Sequence, residues 1–431
     1  MTESLRKFIR DHAENDVSQL LLNASRYPEV DMKEAVIQIM ARKQIKDKIP
    51  AWYKDERLIF PSTLAGEQCS SETTALYKKR LVQTDDRICD LTGGMGVDTY
   101  YLSQKVKRVT YVEKNKACCD AARANFRTLR ATNVHVINKD AIDYLKNKDE
   151  DMNGINVFYI DPDRRGKDNR RLFAINDCEP VLNEIIALMP EKYRIIIKLS
   201  PMLDITQALS QIPSVREVHI LSVKNECKEL LLVAESAPFL PLQCNLFAEP
   251  ESLVWNRNPC ESLTQPQTNP DVYCVNYMAN GVEQSFCFRL ADERAAVAPM
   301  AKKIGRFLYE PNASLLKAGA FKLIAVQYGV EKLHASTHLY TSNQPVMSFP
   351  GSIFEVTDVL PFNNRICKTI SSTIPRANIS VRNFPVSVDE LRKRTRIGDG
   401  GDVYLYATTL PDNQKALIIN HKLQLNKIYA T

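Results

Sequence analysis

A chain of 431 residues, 44% hydrophobic and 25% charged, has room for roughly two to four domains with cores of their own and the composition of a soluble globular protein. Its net charge of +6 permits a polyanionic partner without demanding one. The 11 cysteines form no C-x-x-C pair, the first 15 residues carry charges throughout, and no apolar run approaches the ~18 residues of a membrane span; a zinc site, a disulfide framework, a signal peptide and a membrane anchor are therefore disfavoured, and a reducing cytoplasm is expected.

In chain order, apolar positions at helical spacing (Val17, Leu20, Leu21, then Val36, Ile37, Met40) predict a small helical region that ends near Pro50, Trp52 and Pro61. Ser70 or Ser71 can cap a helix leading out of it. From about 81 to 238 strands and helices alternate: strands over 87–89, 109–113, 133–137, 157–161 and 194–199, with helices over 99–105, 116–129 and 181–189. Two further strands, 215–223 and 229–234, are separated by a few residues, too few for a parallel crossover. The last strand must then run antiparallel to its neighbour.

Pro238, Pro241 and a polar stretch to about Asp271 read as a boundary or linker. Beyond it, Ala279-Asn280-Gly281 predicts a hairpin between strands over 273–278 and 282–288. Helices over 293–304 and 312–328, strands over 338–341, 353–360 and 379–382, a helix over 388–396 and a closing hairpin of 403–409 with 416–421 complete an α+β region, expected as two small sheets covered by helices. The expected divisions are 1–78, 79–238, 239–305 and 306–431.

Chemistry concentrates at the carboxyl ends of the strands. Asp90-Leu91-Thr92-Gly93-Gly94-Met95-Gly96-Val97-Asp98 lies in a strand-to-helix turn, where glycine admits positive φ and close backbone approach. A dinucleotide fingerprint needs Gly or Ala three residues after Gly96, where Thr99 stands, so an acid followed by a Gly-Gly-x-Gly turn looks more like the first motif of class I S-adenosylmethionine methyltransferases. For that cofactor, Asp90, Thr92, Gly93, Gly94, Gly96 and Asp98 are assigned to the methionine and sulfonium side, Glu113 to the ribose and Asp140 to adenine. Strand-end acids are also common solvated caps, and Asp140 alone reads equally well as one.

Asp161-Pro162-Asp163-Arg164-Arg165 closes the fourth strand, where a class I methyltransferase faces its substrate. Asp161 and Pro162 are similar to the Asp/Asn-Pro-Pro-aromatic tetrapeptide of nucleic-acid amino methyltransferases, in which the acid accepts from the target amine. Asp163 and Arg164 depart from it, which puts the target atom in doubt; an arginine plane can stack on a base or hold a phosphate. Arg164, Arg165, Lys167, Arg170 and Arg171 form a basic stretch suited to a polyphosphate, or a solvated loop paired with Asp163, Asp168 and Asp177. Arg392, Lys393 and Arg394 are a second basic run, as readily a solvated helix face as an RNA contact. Ser200-Pro201-Met202 lacks the cysteine of a C5 methyltransferase, and His334 and His338, at helical spacing, have no acid motif, so no metal is expected.

With these residues the chain resembles the bacterial class I methyltransferases that carry a C-terminal THUMP-like domain and a ferredoxin-like insert. The matching segments are 67–72, 90–98, 161–165 and 225–229, with Tyr309-Glu310-Pro311-Asn312, Lys317-Ala318-Gly319 and Leu391-Arg392-Lys393-Arg394 in the tail. The resemblance implies a Rossmann-like α/β sheet, mostly parallel with an antiparallel last strand, after an N-terminal helical region; a ferredoxin-like unit over 239–305 and a THUMP-like unit over 306–431 would follow. It implies an S-adenosylmethionine-dependent enzyme methylating a base nitrogen in structured RNA, tRNA or rRNA, with Asp161, Pro162 and Arg164 at the transfer site. A catalytically silent S-adenosylmethionine and RNA-binding protein and a dinucleotide oxidoreductase remain the alternatives.

Overall fold

The computed structural model describes residues 1–147, 152–164, 178–190, 192–236 and 269–423. They fall into two units, 1–216 with 229–236, and 217–228 with 269–423.

The first unit begins with three helices, α1 Glu3–Asp11, α2 Val17–Leu22 and α3 Met32–Ile45, whose first turns are capped by Thr2, Asp16 and Asp31. Leu5, Phe8, Ile9, Leu20 and Val36 bury their shared face. Pro50 does not end the helical region: it opens α4, Pro50–Lys54, at a first-turn position where a missing N–H costs no hydrogen bond. Helices α5, Thr63–Gln68, and α6, Glu72–Lys78, follow, capped by Ser62 and Ser71. Ala41, Ile45, Trp52, Phe60 and Ala75 pack with Met95, Val97 and Tyr101, so residues on both sides of position 78 share one core.

The sheet of this unit is built from β1 Arg87–Asp90, α7 Val97–Ser103, β2 Arg108–Glu113, α8 Lys116–Thr128, β3 Val134–Asn138, α9 Ala141–Asn147 and β4 Val157–Ile160. A two-residue antiparallel ribbon, β5 Asp163–Arg164 with β6 Cys178–Glu179, precedes α10 Leu182–Leu188 and β7 Arg194–Leu199; α11 Ile205–Gln211 and β9 Glu226–Glu235 complete it, β9 being preceded by β8, Val215–Val223, most of which belongs to the second unit. The strand order within this unit is β3-β2-β1-β4-β7-β9. β1 runs parallel to β2 and β4, β2 to β3, and β4 to β7, while β9 is antiparallel to β7. β4 and the Ile195–Ile197 centre of β7 are continuous apolar runs because both faces are covered. The connection into β9 is a tight turn at Lys224 and Asn225, both at positive φ, which is the geometry that reverses a chain in two residues. The expected mostly parallel sheet with an antiparallel last strand is the one observed. Its order reverses between β1 and β4, and a crevice opens at that point beyond the strand ends.

In the second unit, β8 pairs in parallel with β10, Asp271–Tyr277, which turns at Gly281 into β11, Glu283–Arg289. α12 then spans only Leu290–Ala295: the helix expected over 293–304 stops at Ala296, whose backbone is extended. After β12, Phe307–Pro311, the helix expected over 312–328 is two, α13 Ala313–Ala318 and α14 Leu323–Tyr328, parted at Gly319, φ 76°. β13 Glu331–His334, β14 Thr337–Ser342, β15 Gly351–Pro361, α15 Asn364–Thr373, β16 Arg376–Arg382, α16 Val388–Thr395, β17 Gly398–Thr409 and β18 Lys415–Lys422 follow. The strands from β12 onward form one seven-stranded sheet, β13-β14-β12-β15-β18-β17-β16, because β12 pairs with both β14 and β15, while the β10–β11 hairpin pairs with β8 instead. His334 and His338 lie on the two strands of a hairpin rather than on a helix, and the His338 ring stacks on Phe321. Among the described residues no helix is long and apolar enough to cross a membrane.

Candidate active site

The crevice at the strand-order reversal is a cleft of about 460 Å³ lined by the 90–98 loop, Glu113, Asp140, Asp161 and residues of α5 and the turn after it. Its floor is the turn after β1. Gly94 and Gly96 adopt φ of 53° and 84°, the left-handed region that costs a side-chain-bearing residue most. The Gly96 N–H donates to the Gly93 carbonyl at 2.8 Å, closing the turn into α7. Gly93 is required for a different reason: a Cβ there would sit 2.2 Å from the Tyr111 ring beneath it. The Tyr111 hydroxyl in turn donates to the Gly94 carbonyl at 2.6 Å.

Asp90 shapes this loop from below. It is 1% exposed; the Thr99 hydroxyl donates to one carboxylate oxygen at 2.5 Å and the Thr92 N–H to the other at 3.1 Å. Burial raises its pKa to about 7 against the pull of those two bonds. Thr92 also accepts the Asp161 N–H at 2.7 Å, tying the end of β4 to the glycine turn. Glu113 accepts the N–H groups of Gly94 at 2.9 Å and Asn115 at 2.7 Å, one on each carboxylate oxygen, and each oxygen keeps a lone pair for another donor. Asp140 caps α9 through the Ile142 N–H at 2.9 Å on one oxygen, with the other uncommitted to it. The cap and the cleft-lining position coexist in one side chain.

Asp98 also lines the cleft, but its carboxylate is committed to a buried network. Its carboxylate accepts from Ser70 Oγ at 2.7 Å, the Tyr159 hydroxyl at 2.7 Å and Lys78 Nζ at 2.8 Å. Lys78 is 0% exposed, donates to Ser70 Oγ at 2.6 Å and pairs with Glu229 at 2.9 Å. Burial alone would push the Asp98 carboxyl up, but the ammonium groups of Lys78 and Lys198 and the Lys78 and Ser70 hydrogen bonds more than reverse this and hold it at about 2.

At the end of β4, Pro162 is buried and Asp163 is exposed. Lys198 Nζ on β7 lies 2.5 Å from the Asp161 carboxylate. Enclosure raises the Asp161 pKa in spite of that ammonium, although 37% of its side chain still opens to the cleft. For Lys198, burial would lower the pKa, and the carboxylates of Asp161, Glu229 and Asp98 overturn this and raise it, so the amine is held protonated.

The structure therefore brings together Asp90, Thr92, Gly93, Gly94, Gly96, Asp98, Glu113, Asp140, Asp161 and Pro162. The backbone of Arg164 pairs in the short ribbon, while Arg165, Lys167, Arg170 and Arg171 lie outside the described residues. Arg392, Lys393 and Arg394 stand on α16 in the other unit, where Arg392 donates to the carbonyls of Ala377 and Ile397 and pairs with Asp399, and Arg394 pairs with Glu390. Ser70, Lys78, Tyr159, Lys198 and Glu229 were missed from the sequence. A signal did exist: Lys198 interrupts the otherwise apolar run of β7, and a lysine inside a buried strand is placed there only with a partner.

Three family models match this chain: one described as conserved hypothetical protein 95 over residues 79–198, one as a ferredoxin-like domain over 307–350, and one as THUMP domain-like over 351–422. The ferredoxin-like match thus lies downstream of the 239–305 stretch. Proteins named uncharacterized RNA methyltransferases from Mycoplasma mobile and Thermotoga maritima are 28% and 27% identical over 111 and 141 residues, 26% and 32% of this chain. The matched regions span 27% and 29% of those relatives' own lengths. A crystal structure of a "putative methyltransferase" from Porphyromonas gingivalis W83 is 31% identical and covers 98% of both chains with a TM-score of 0.81. By that full-length likeness, and by the three domain matches along it, the chain belongs to the family of class I methyltransferase-fold proteins that carry ferredoxin-like and THUMP-like domains.

Proposed function

We propose that this protein binds S-adenosylmethionine in the cleft beside the 90–98 loop and transfers its methyl group to RNA, tRNA or rRNA, in the cytoplasm. The observation that carries the reading is the set of carboxylates at successive strand ends around one cleft of about 460 Å³, within the usual range for small-molecule sites. The half-buried Glu113 has lone pairs in reserve for a ribose diol, and the free oxygen of Asp140 suits an adenine amino group. The glycine turn leaves room for the methionine end, with Asp90 acting through the shape of the loop. RNA as substrate is supported by the names of the partial relatives and by the THUMP-like match.

Asp161-Pro162 supports a base nitrogen as acceptor. The Asp161–Lys198 pair is the observation that favours a second acceptor, oxygen.

Calorimetric titration with S-adenosylmethionine, S-adenosylhomocysteine and NADH tests the cofactor. Affinity in the micromolar range for the two methionine nucleosides, weakened at least about tenfold by Glu113→Ala, is expected. Binding of NADH alone would restore the dinucleotide reading, and cofactor binding without transfer to any RNA would favour a silent binding protein.

A further inference from the structure

The end of β4 is furnished for an oxygen nucleophile. Three observations converge. First, the Asp161 carboxylate is engaged through one oxygen by an ammonium at 2.5 Å while its other oxygen keeps its lone pairs, so the group next to the transfer site is an acid–cation pair. Second, that cation is locked in its charged form by its surroundings. Lys198 is only 12% exposed, and Glu229 and Asp98, themselves bridged by the fully buried Lys78 at 2.9 and 2.8 Å, add negative potential behind it. Third, among the described residues the single aromatic ring lining the cleft is Tyr159, which is 1% exposed with its hydroxyl committed to Asp98. It offers no face on which an extruded base can stack.

The charge that develops on the acceptor decides between the two chemistries. A neutral amine becomes cationic as it takes a methyl group, and an adjacent fixed ammonium opposes that change. A hydroxyl must shed its proton and passes through a state with negative charge on oxygen, which the same ammonium stabilises. In RNA, the hydroxyl present on every nucleotide within a chain is the ribose 2′-hydroxyl.

We propose that Asp161 and Lys198 activate a ribose 2′-hydroxyl of the RNA, so that the methyl group is delivered to oxygen. The inference rests on the RNA methyltransferase reading above. The hydroxyl proton passes to the Asp161 oxygen and from there to water. The Lys198 ammonium, 2.5 Å from that carboxylate, stabilises the nucleophilic oxygen electrostatically as its charge grows. The new O–CH3 bond forms as the S–CH3 bond of the sulfonium donor breaks, and the electron pair of that bond stays on sulfur as a thioether. Asp161 is the catalytic residue of this step, Lys198 acts on it and on the developing charge from 2.5 Å behind the carboxylate, and Lys78, Glu229 and Asp98 are positioning residues that keep Lys198 charged and in place.

The test uses the full chain, S-adenosylmethionine with a radiolabelled methyl group, and total RNA from cells in which the gene for this protein has been deleted. The labelled RNA is hydrolysed with alkali, which cannot cut the phosphodiester next to a 2′-O-methyl group. Label in alkali-resistant dinucleotides is the expected result. Label in mononucleotides overturns the inference and leaves the RNA methyltransferase reading standing; unlabelled RNA, with the donor shown to bind, overturns both. As a second arm, Lys198→Met should lower kcat by about 100-fold or more while the donor's Kd changes less than about threefold, and Lys198→Arg should recover part of the rate. Equal losses of donor affinity and rate would assign Lys198 a structural role and overturn the proposal.

Discussion

Lys78 shows how much a single side chain of this site is asked to do. It is fully buried between Asp98 and Glu229, so replacing it with alanine leaves two carboxylates without their cation inside the protein. Lys78→Ala should cost about 3–5 kcal/mol, read as a fall in the urea midpoint at unchanged slope. The two aspartates of the loop give opposite pH signatures. Asp98, depressed to about 2, contributes stability that is present above its unfolded pKa and lost as pH falls through about 2. Asp90, raised to about 7, contributes stability that is complete below its unfolded value of 3.8 and lost as pH rises through 7. The wild type should therefore lose stability relative to Asp90→Asn between about pH 4 and 7 and run parallel to it above that, as denaturant midpoints across pH would reveal. Gly93→Ala drives a methyl group into the Tyr111 ring, and a loss of at least about 1–3 kcal/mol together with weakened cofactor binding is expected.

Among the elements, two helices did not form as expected, and long-range contacts mark both breaks. Glu293 is buried at the start of α12, and its carboxylate accepts the N–H groups of Phe321, Lys322 and Leu323 at 3.0, 2.8 and 2.9 Å. It thereby caps α14 from a distance of about thirty residues and pins the break at Gly319, while α12 ends early so that the chain can extend beside β13. Helical periodicity is a local signal and carries no trace of such a cap. Glu293→Ala leaves the first amides of α14 without an acceptor, and a destabilisation of about 2–3 kcal/mol is expected, with faster amide exchange confined to the start of α14 as its signature. By contrast β4 and β7 were legible to within a residue, because buried parallel strands carry apolar runs bounded by turn residues, whereas β9 begins three residues earlier than expected and the β5–β6 ribbon was not foreseen.

Over the whole molecule, a ligand that binds only the folded chain must raise its stability by mass action. S-adenosylmethionine at 100 times its Kd should stabilise the unit that holds the cleft by about 2.7 kcal/mol, a gain that Glu113→Ala should reduce at the same concentration and that thermal melts with and without the cofactor would detect.

The sequence by itself determined the class of the first unit, the antiparallel last strand and the position of the cleft. Each depends on local quantities: the two-period or continuous apolar pattern of a strand, the length of a connection, and a glycine where φ must be positive. It also put Asp90, Glu113, Asp140 and Asp161 around one cleft, since strand ends in a doubly wound sheet converge whatever lies between them. Which partners those acids meet was decided only in three dimensions. Asp98, adjacent in sequence to the glycine turn, points into a buried network with Ser70, Lys78 and Tyr159; Asp161 meets Lys198, 37 residues away. The joining of β12 to β18 into one seven-stranded sheet was likewise hidden, because β12 chooses β15 as a partner through long-range pairing that no local pattern encodes. Burial fixes which charges must find each other, and burial is a property of the packed chain rather than of any stretch of it.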